Sequence, residues 1–469
     1  MKLKLKAVLL WLIFFISFVL LGFVSKNHLP FLSRAFYRQA NLVVDAKDFI
    51  GPMQHNWQSL AQGGEESGVR LLENVSLKAS ALSPRYIRLD HIYDFYNVVS
   101  RNANGSLEFD FSQLDQTVCD IYRMNARPFF VLGYMPPALS ADGSLISVPK
   151  DWSEWSLLVQ KTVERYSGKE TRLCGGVYDD WLKDIYYEVW NEPDLESFGK
   201  WSIYGGQKDY RALYYHSVKG AQNASNVNRF LIGGPVTTRP YRNWFINFLY
   251  YAKSQNLRVD FLSWHHYSTD TNDFTNEVKN VHSWLKDPQL KQYQNLPLII
   301  SEWGYDSAPN PIADTNVGAA HTVATIRDLI DQKVEMAFAF ELKDGLSPTW
   351  GIFTYEGQPK PRFYALKLLN VLDRHRLDVQ GEGTLVKAIA SIGAKGRISL
   401  VVVNYDPQQS HTEAVPLNIY NLKNGYYRII QNNLSQEQMV EEITVNTGTL
   451  EKILLMAPNS VISLEISPL

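Results

Sequence analysis

Cysteine is nearly missing from this chain: Cys119 and Cys174 are the only two among 469 residues. So few exclude a disulfide scaffold, and their spacing matches no metal-ligand pattern. One structural bridge in an oxidising compartment and a pair of free thiols both stay open. Excess charge is missing too. A formal net charge of −2 leaves no electrostatic footprint for a nucleic acid. Internal repeats and low-complexity segments are absent. Long apolar runs are confined to one place, where Lys2, Lys4 and Lys6 precede an uncharged run from Ala7 to Val24. That run is long for the apolar part of a signal peptide and just long enough to cross a bilayer. Its basic flank favours an N-terminus on the inner side. No small-residue cleavage site follows Val24, and no cysteine is there for lipidation. The first reading is a transmembrane signal anchor at 1–24 with the membrane as partner; the second is a removed signal peptide. Either way the main body is exported.

What is present is an ordinary globular composition, 45% hydrophobic and 20% charged, at a length that favours two domains. Aromatics are plentiful, with 12 Trp, 26 Tyr and 22 Phe. Their flat faces pack against sugars, but they also fill cores. After a linker at 25–40, strand-like runs alternate with helical ones across 41–376. Strand candidates are Tyr86–Leu89, Pro128–Leu132, Ile185–Trp190, Phe230–Gly233, Val259–Trp264, Leu298–Ser301 and Met336–Phe340, with a weaker first strand near Trp57–Gln62. Helical patterns such as Trp152–Tyr166 and Tyr210–Asn223 lie between them. Eight strand–helix units predict an α/β fold, a closed (β/α)8 TIM barrel. Residues 377–469 change texture to short alternating runs parted by Asn, Gly, Asp and Pro, predicting a small antiparallel β-sandwich.

Barrels of this kind build their sites from the C-terminal ends of the strands, so carboxylates at strand ends are the first candidates. Glu192 stands in Tyr187-Glu188-Val189-Trp190-Asn191-Glu192-Pro193, where an apolar run ends and Pro193 stops the strand. Glu302 stands in Leu298-Ile299-Ile300-Ser301-Glu302-Trp303-Gly304, again at a strand end beside tryptophan. On the strand count these residues end strands four and seven, facing one another across the mouth. Two carboxyl groups flanking one position are what glycosidic cleavage needs, one to protonate the leaving oxygen and one to attack or to activate water. That chemistry takes a carbohydrate substrate and requires neither cofactor nor metal. Period-two alternation puts Ser263, His265 and Tyr267 on one strand face.

Trp-Asn-Glu-Pro followed by Ser-Glu-Trp-Gly resembles the clan A glycoside hydrolases, and more narrowly glycoside hydrolase family 39, which includes β-xylosidases, α-L-iduronidase and bacterial exopolysaccharide hydrolases. Arg85 to Arg88, Gly133-Tyr134-Met135-Pro136, Asp260-Phe261 with His265-His266-Tyr267, and Gly351-Ile352-Phe353 through Pro361 are similar to the family's pattern. The resemblance covers roughly 55–375. It implies a retaining glycosidase with Glu192 as general acid/base and Glu302 as nucleophile. It also implies substrate-binding roles for Arg88, Asn191, His265, Tyr267 and Trp303, with Arg88 keeping Glu302 ionised and Glu192 raised in pKa.

Two departures bear on the substrate. Asp90-His91 stands where the family's xylosidases carry His-Gly, and Phe338 or Phe340 replaces the strand-eight tryptophan under the sugar. Gln62-Gly63-Gly64-Glu65 reads either as the lining of a further subsite or as a tight turn. A β-xyloside or exopolysaccharide hydrolase is the expectation. Its competitors are a β-mannan or β-glucan endohydrolase, a catalytically silent surface-anchored polysaccharide binder, and an export-linked structural protein.

Overall fold

The computed structural model describes residues 37–63 and 66–469. Its eight parallel barrel strands are Ser59–Gln62, Tyr86–Leu89, Arg127–Leu132, Ile185–Val189, Phe230–Thr237, Leu262–Tyr267, Leu298–Gly304 and Met336–Phe340, each hydrogen-bonded to the next in chain order. The eighth pairs with the first, Ala339 opposite Leu60, and closes the barrel. Helices follow the strands on the outside. Their starts are set by side chains that satisfy free backbone N–H groups: Asp151 accepts from Ser153, Asp209 from Arg211, Asp270 from Asn272 and Thr315 from Val317.

Alternation along the strands sends one set of side chains into the lumen. Ala61, Tyr86, Phe129, Leu231, Phe261, Ile299, Met336 and Phe338 fill it as a separate apolar cluster. The barrel is thus plugged below its mouth, and the next residues up each strand become the floor of a site.

The β-rich part is larger than a C-terminal unit. Its nine strands follow the order Gln438–Val445, Gly425–Asn433, Val461–Pro468, Ile398–Asn404, Val386–Ile392, His375–Gln380, Leu42–Pro52, Glu413–Tyr420 and Leu450–Met456. This sheet curls around a single core, and Lys452 on one edge strand pairs with Glu441 on the other. The expected barrel start near residue 41 is corrected here. Leu42–Pro52 belongs to the sandwich, antiparallel to His375–Gln380 and parallel to Glu413–Tyr420. Leu42 and Val44 are fully buried in the sandwich core. A local alternating pattern says that a strand forms, but not which sheet takes it when its partners lie over 300 residues away.

Cys119, on the helix Ser112–Arg123, is bonded to Cys174. No helix among the described residues is long and apolar enough to cross a membrane. The expected anchor at 1–24 lies outside the described residues.

Candidate active site

The end of the fourth barrel strand is bent by its own residues. After Val189, both Trp190 (φ 73°) and Glu192 (φ 40°) adopt the left-handed region, which costs a non-glycine residue energy and is held by surrounding contacts. The Glu192 N–H donates to the Val236 carbonyl of strand five at 3.1 Å. Thr238, just beyond that strand, donates to Asp194 from both its N–H and its hydroxyl. This lashing turns the Glu192 carboxyl into the mouth. Glu302 needs no such bend: it sits within strand seven, opposite His265 of strand six.

Four side chains then bind the two carboxylates into one network. Tyr267 donates its hydroxyl to Glu302 Oε1 at 2.5 Å. Arg88 donates from Nη1 to Glu302 Oε2 at 3.3 Å, from Nε to Glu188 Oε2 at 2.9 Å and from Nη2 to Asn191 Oδ1 at 2.7 Å. His265 Nδ1 lies 2.9 Å from Glu192 Oε1, and its Nε2 lies 3.3 Å from Arg88 Nη2. A guanidinium has only donors, so Nε2 must accept and Nδ1–H donates to Glu192. The structure thus brings Arg88, Asn191, His265 and Tyr267 together around the two glutamates. Both glutamate side chains keep 13% of their surface open to solvent.

The electrostatics differ from expectation at one point. Burial, together with the like charge of Glu192, raises the Glu302 carboxyl above the ordinary range, against the pull of His265, Arg88 and Tyr267. Arg88 and Tyr267 offset burial without reversing it. Burial depresses the His265 imidazole, but Glu302 and Glu192 more than compensate and raise it. Burial and the Glu302 charge hold the Tyr267 hydroxyl far above its usual value, so it stays a donor.

Trp303 does not reach the site. It follows Glu302 on the strand, so alternation turns it outward, where it is fully buried against Phe274 and His321. Trp190 likewise packs among Tyr134, Trp155 and Trp201 beneath the helices. Phe338 plugs the lumen, and Phe340 is the aromatic that lines the cleft. Gln62 is structural: its amide clasps the Lys343 backbone, donating to the carbonyl at 2.9 Å and accepting from the N–H at 3.0 Å. A Cβ on Gly63 would meet the Phe340 ring at 2.5 Å, so a larger residue there would have to displace the aromatic that lines the cleft.

The cleft over the two carboxylates holds about 850 Å³. Sequence reading missed several of its walls: Glu66, Arg239, Glu341 and Trp350. Glu341 directly follows strand eight and carried the same signal as Glu192 and Glu302, a carboxylate where an apolar strand ends. Arg239 and Trp350 lie in loops with no periodic pattern to announce them. Among the described residues, Glu192, His265 and Glu302 form the one group close enough to hold a metal ion. The group fits a metal poorly, because the Arg88 guanidinium already supplies a cation to Glu302 and occupies the His265 lone pair.

The profile of the family described as "Glycosyl hydrolases family 39" matches residues 43–438. A β-xylosidase of Caldicellulosiruptor saccharolyticus is 26% identical over 373 residues, 72% of this chain and 71% of that one. A β-xylosidase of Geobacillus stearothermophilus is 25% identical over 66% of each chain. The fold is shared with the crystal structure of a monomeric β-xylosidase from Caulobacter crescentus, with a TM-score of 0.75 at 20% identity, over 92% of this chain and all of that one.

Proposed function

The chain belongs to glycosyl hydrolase family 39 and is a glycosidase, and we propose that it works by double displacement with retention of configuration, with Glu302 as nucleophile and Glu192 as acid/base. One observation carries the reading: oxygens of Glu192 and Glu302 lie within 4.8 Å of one another. Retaining pairs stand about 5–5.5 Å apart, whereas inverting pairs leave roughly 6.5–9.5 Å for a water. In this mechanism, Glu302 attacks the anomeric carbon while Glu192 gives its proton to the leaving oxygen. A water deprotonated by Glu192 then releases the sugar from Glu302.

The surroundings divide the labour. Glu302 has both oxygens engaged, by Tyr267 and Arg88, which fix its angle of attack. Glu192 has one oxygen on His265 and lines the cleft together with Leu195, Phe198 and Thr238. Glu302 carries its charge before the attack and loses it in the bond to the anomeric carbon, so a like charge stands beside Glu192 in the first step and is absent at the start of the second. Glu192 is thereby suited to give a proton first and to take one second.

The substrate we propose is a β-xyloside or a related unit of an extracellular or cell-surface polysaccharide. The β-xylosidase relatives support it, while Phe340 and Asp90-His91 leave room for another sugar. Export, by a membrane anchor or a cleaved signal, is part of the proposal. The basic flank before Ala7–Val24 and the Cys119–Cys174 bond support it. Incubating residues 37–469 with a panel of aryl glycosides and polysaccharides, and following the first-formed anomer by NMR, tests the reading. A first product of inverted configuration would overturn the mechanism.

A further inference from the structure

Glu341 is left over by the mechanism. It lines the same cleft as Glu192, Glu302 and Tyr267, yet only 2% of its surface is exposed. Its Oε2 is buried and meets no hydrogen-bond partner among the described residues. The Gly345 and Gly63 backbone amides pull its carboxyl toward the charged form, but less strongly than burial pushes it away.

The groups that face it are mostly acidic. Glu302 looks across from strand seven, with the protonated Tyr267 behind it on strand six, and Asp344 stands on its own loop. Two cations are near. Lys360 pairs with Asp344 and Asp314, and Arg362 gives Nη1 to the carbonyls of Phe340 and Trp350 while its Nη2 is buried without a partner among the described residues. No ion pair to Glu341 forms among the described residues. Burial first, then the Asp344 charge, push its carboxyl up to about 8, so it is an uncharged acid at neutrality. A buried polar atom without a partner costs free energy that a bound group restores on arrival, and a carboxylic acid kept neutral by its surroundings is a hydrogen-bond donor in a cleft of acceptors.

We propose that Glu341 is a specificity-determining residue whose carboxylic acid donates a hydrogen bond to a hydroxyl oxygen of the sugar attacked by Glu302, so that the site takes neutral sugars and excludes those with an anionic substituent there. The inference rests on the placement of the reacting sugar over Glu192 and Glu302. An ionised substituent at this point would face the Glu302 and Asp344 carboxylates, while the nearby Arg362 guanidinium is buried and bonded to backbone carbonyls. A hydroxyl oxygen accepts from the acid at no electrostatic cost.

The test compares wild type, Glu341→Gln and Glu341→Ala on 4-nitrophenyl β-D-xyloside, from pH 4.5 to well above 8, the ordinary and shifted values of this carboxyl. Calorimetric binding of free D-xylose runs beside it. In wild type, KM and the xylose Kd rise as pH passes about 8. Glu341→Gln, which keeps an N–H donor, binds within about threefold of wild type at neutrality and loses that alkaline rise. Glu341→Ala binds roughly tenfold to a hundredfold more weakly, with kcat less affected. Infrared difference spectra of wild type against Glu341→Gln show a carboxylic-acid carbonyl band at neutrality that disappears above about 8, a readout that needs no turnover.

Equal weakening by Gln and Ala overturns the proposal. So does affinity that improves with ionisation, as an amino sugar gripped by a carboxylate would show, or a glucuronide that competes as well as the xyloside. If xylose binds with the stated pattern but no glycoside is cleaved, the hydrolytic reading falls and this one stands. If xyloside is cleaved and the Glu341 variants match wild type, this one falls alone.

Discussion

Tyr405 of the sandwich donates its hydroxyl to the carbonyl of Thr269, at 2.7 Å, just beyond the barrel strand that carries His265 and Tyr267. The same seam holds Lys387, which reaches Asp328 at 2.5 Å and the Thr271 hydroxyl at 2.9 Å. The ring of Tyr405 also lies against that of His321, with centroids 5.4 Å apart. The sandwich grips the loop that follows strand six. Tyr405→Phe should lower stability by about 1 kcal/mol in chemical denaturation, the usual net worth of one such bond. Activity of the folded fraction should stay near wild type, because no cleft residue moves. A large loss of kcat at unchanged stability would show instead that the sandwich tunes the site.

Glu302→Ala should reduce turnover on every substrate by roughly four orders of magnitude or more, with azide restoring some as the inverted glycosyl azide. Glu192→Ala should cost about 10²–10⁴-fold on substrates that need protonation and spare glycosylation from very good leaving groups. Azide should then give a glycosyl azide of retained configuration. Rates and product anomers read by NMR check the assignment, and the reverse pattern would exchange the two roles.

Arg88 carries more than the site. Removing it strands Glu188, whose Oε1 already lacks a partner, as a buried charge beneath the mouth. Arg88→Met should cost about 3–5 kcal/mol of stability in addition to activity. Arg88→Met paired with Glu188→Gln should recover much of the stability but little of the rate. Recovery of both would make Arg88 a purely structural residue.

Stability should fall on both sides of an intermediate pH, for reasons that separate by residue. Burial drops the His321 imidazole from 6.5 to about 3, so its contribution is present above 6.5 and lost as acid approaches 3. Glu341 moves the other way. Its folded value near 8 exceeds the ordinary 4.5, so its contribution is present below 4.5 and lost as pH climbs to 8. Thermal melts against pH should therefore flatten on the alkaline side in Glu341→Gln while keeping their acid slope. An unchanged alkaline slope would refute the assignment.

A chain of residues 37–469 should fold and remain active. A chain beginning at residue 53 should be insoluble or melt far lower, because it lacks a strand flanked on both sides in the sheet. Circular dichroism and activity on one aryl glycoside decide between these outcomes. Equal behaviour of the two would make Leu42–Pro52 dispensable.

The middle and late barrel strands are legible in the sequence because a strand buried on both faces reads as an apolar run, and each run ends where the site begins. Glu192 and Glu302 follow from that rule together with the chemistry of paired carboxylates. Trp303 shows the limit of neighbourhood as an argument: the alternation that brings Glu302 inward sends the next side chain out. Glu341 obeyed the strand-end rule and was legible in principle. Arg239 and Trp350 were not, since their loops are placed only by tertiary packing. Leu42–Pro52 was not read as a strand, because its apolar start breaks off at Asp45, and its place in the sheet depends on partners the local pattern does not contain.

The divided sandwich also sets an order of events in time. Asp45, which ends the parallel pairing, meets Asn421 across 376 residues of chain. At about 5–20 residues per second of synthesis, that strand waits roughly 20 to 75 seconds for Asn421. Every barrel strand is made in the interval, between the two halves of the sheet. The barrel is therefore complete before the clasp formed from both flanks of the chain can shut. Until it shuts, Leu42–Pro52 is an unsatisfied edge open to a chaperone or to another nascent copy.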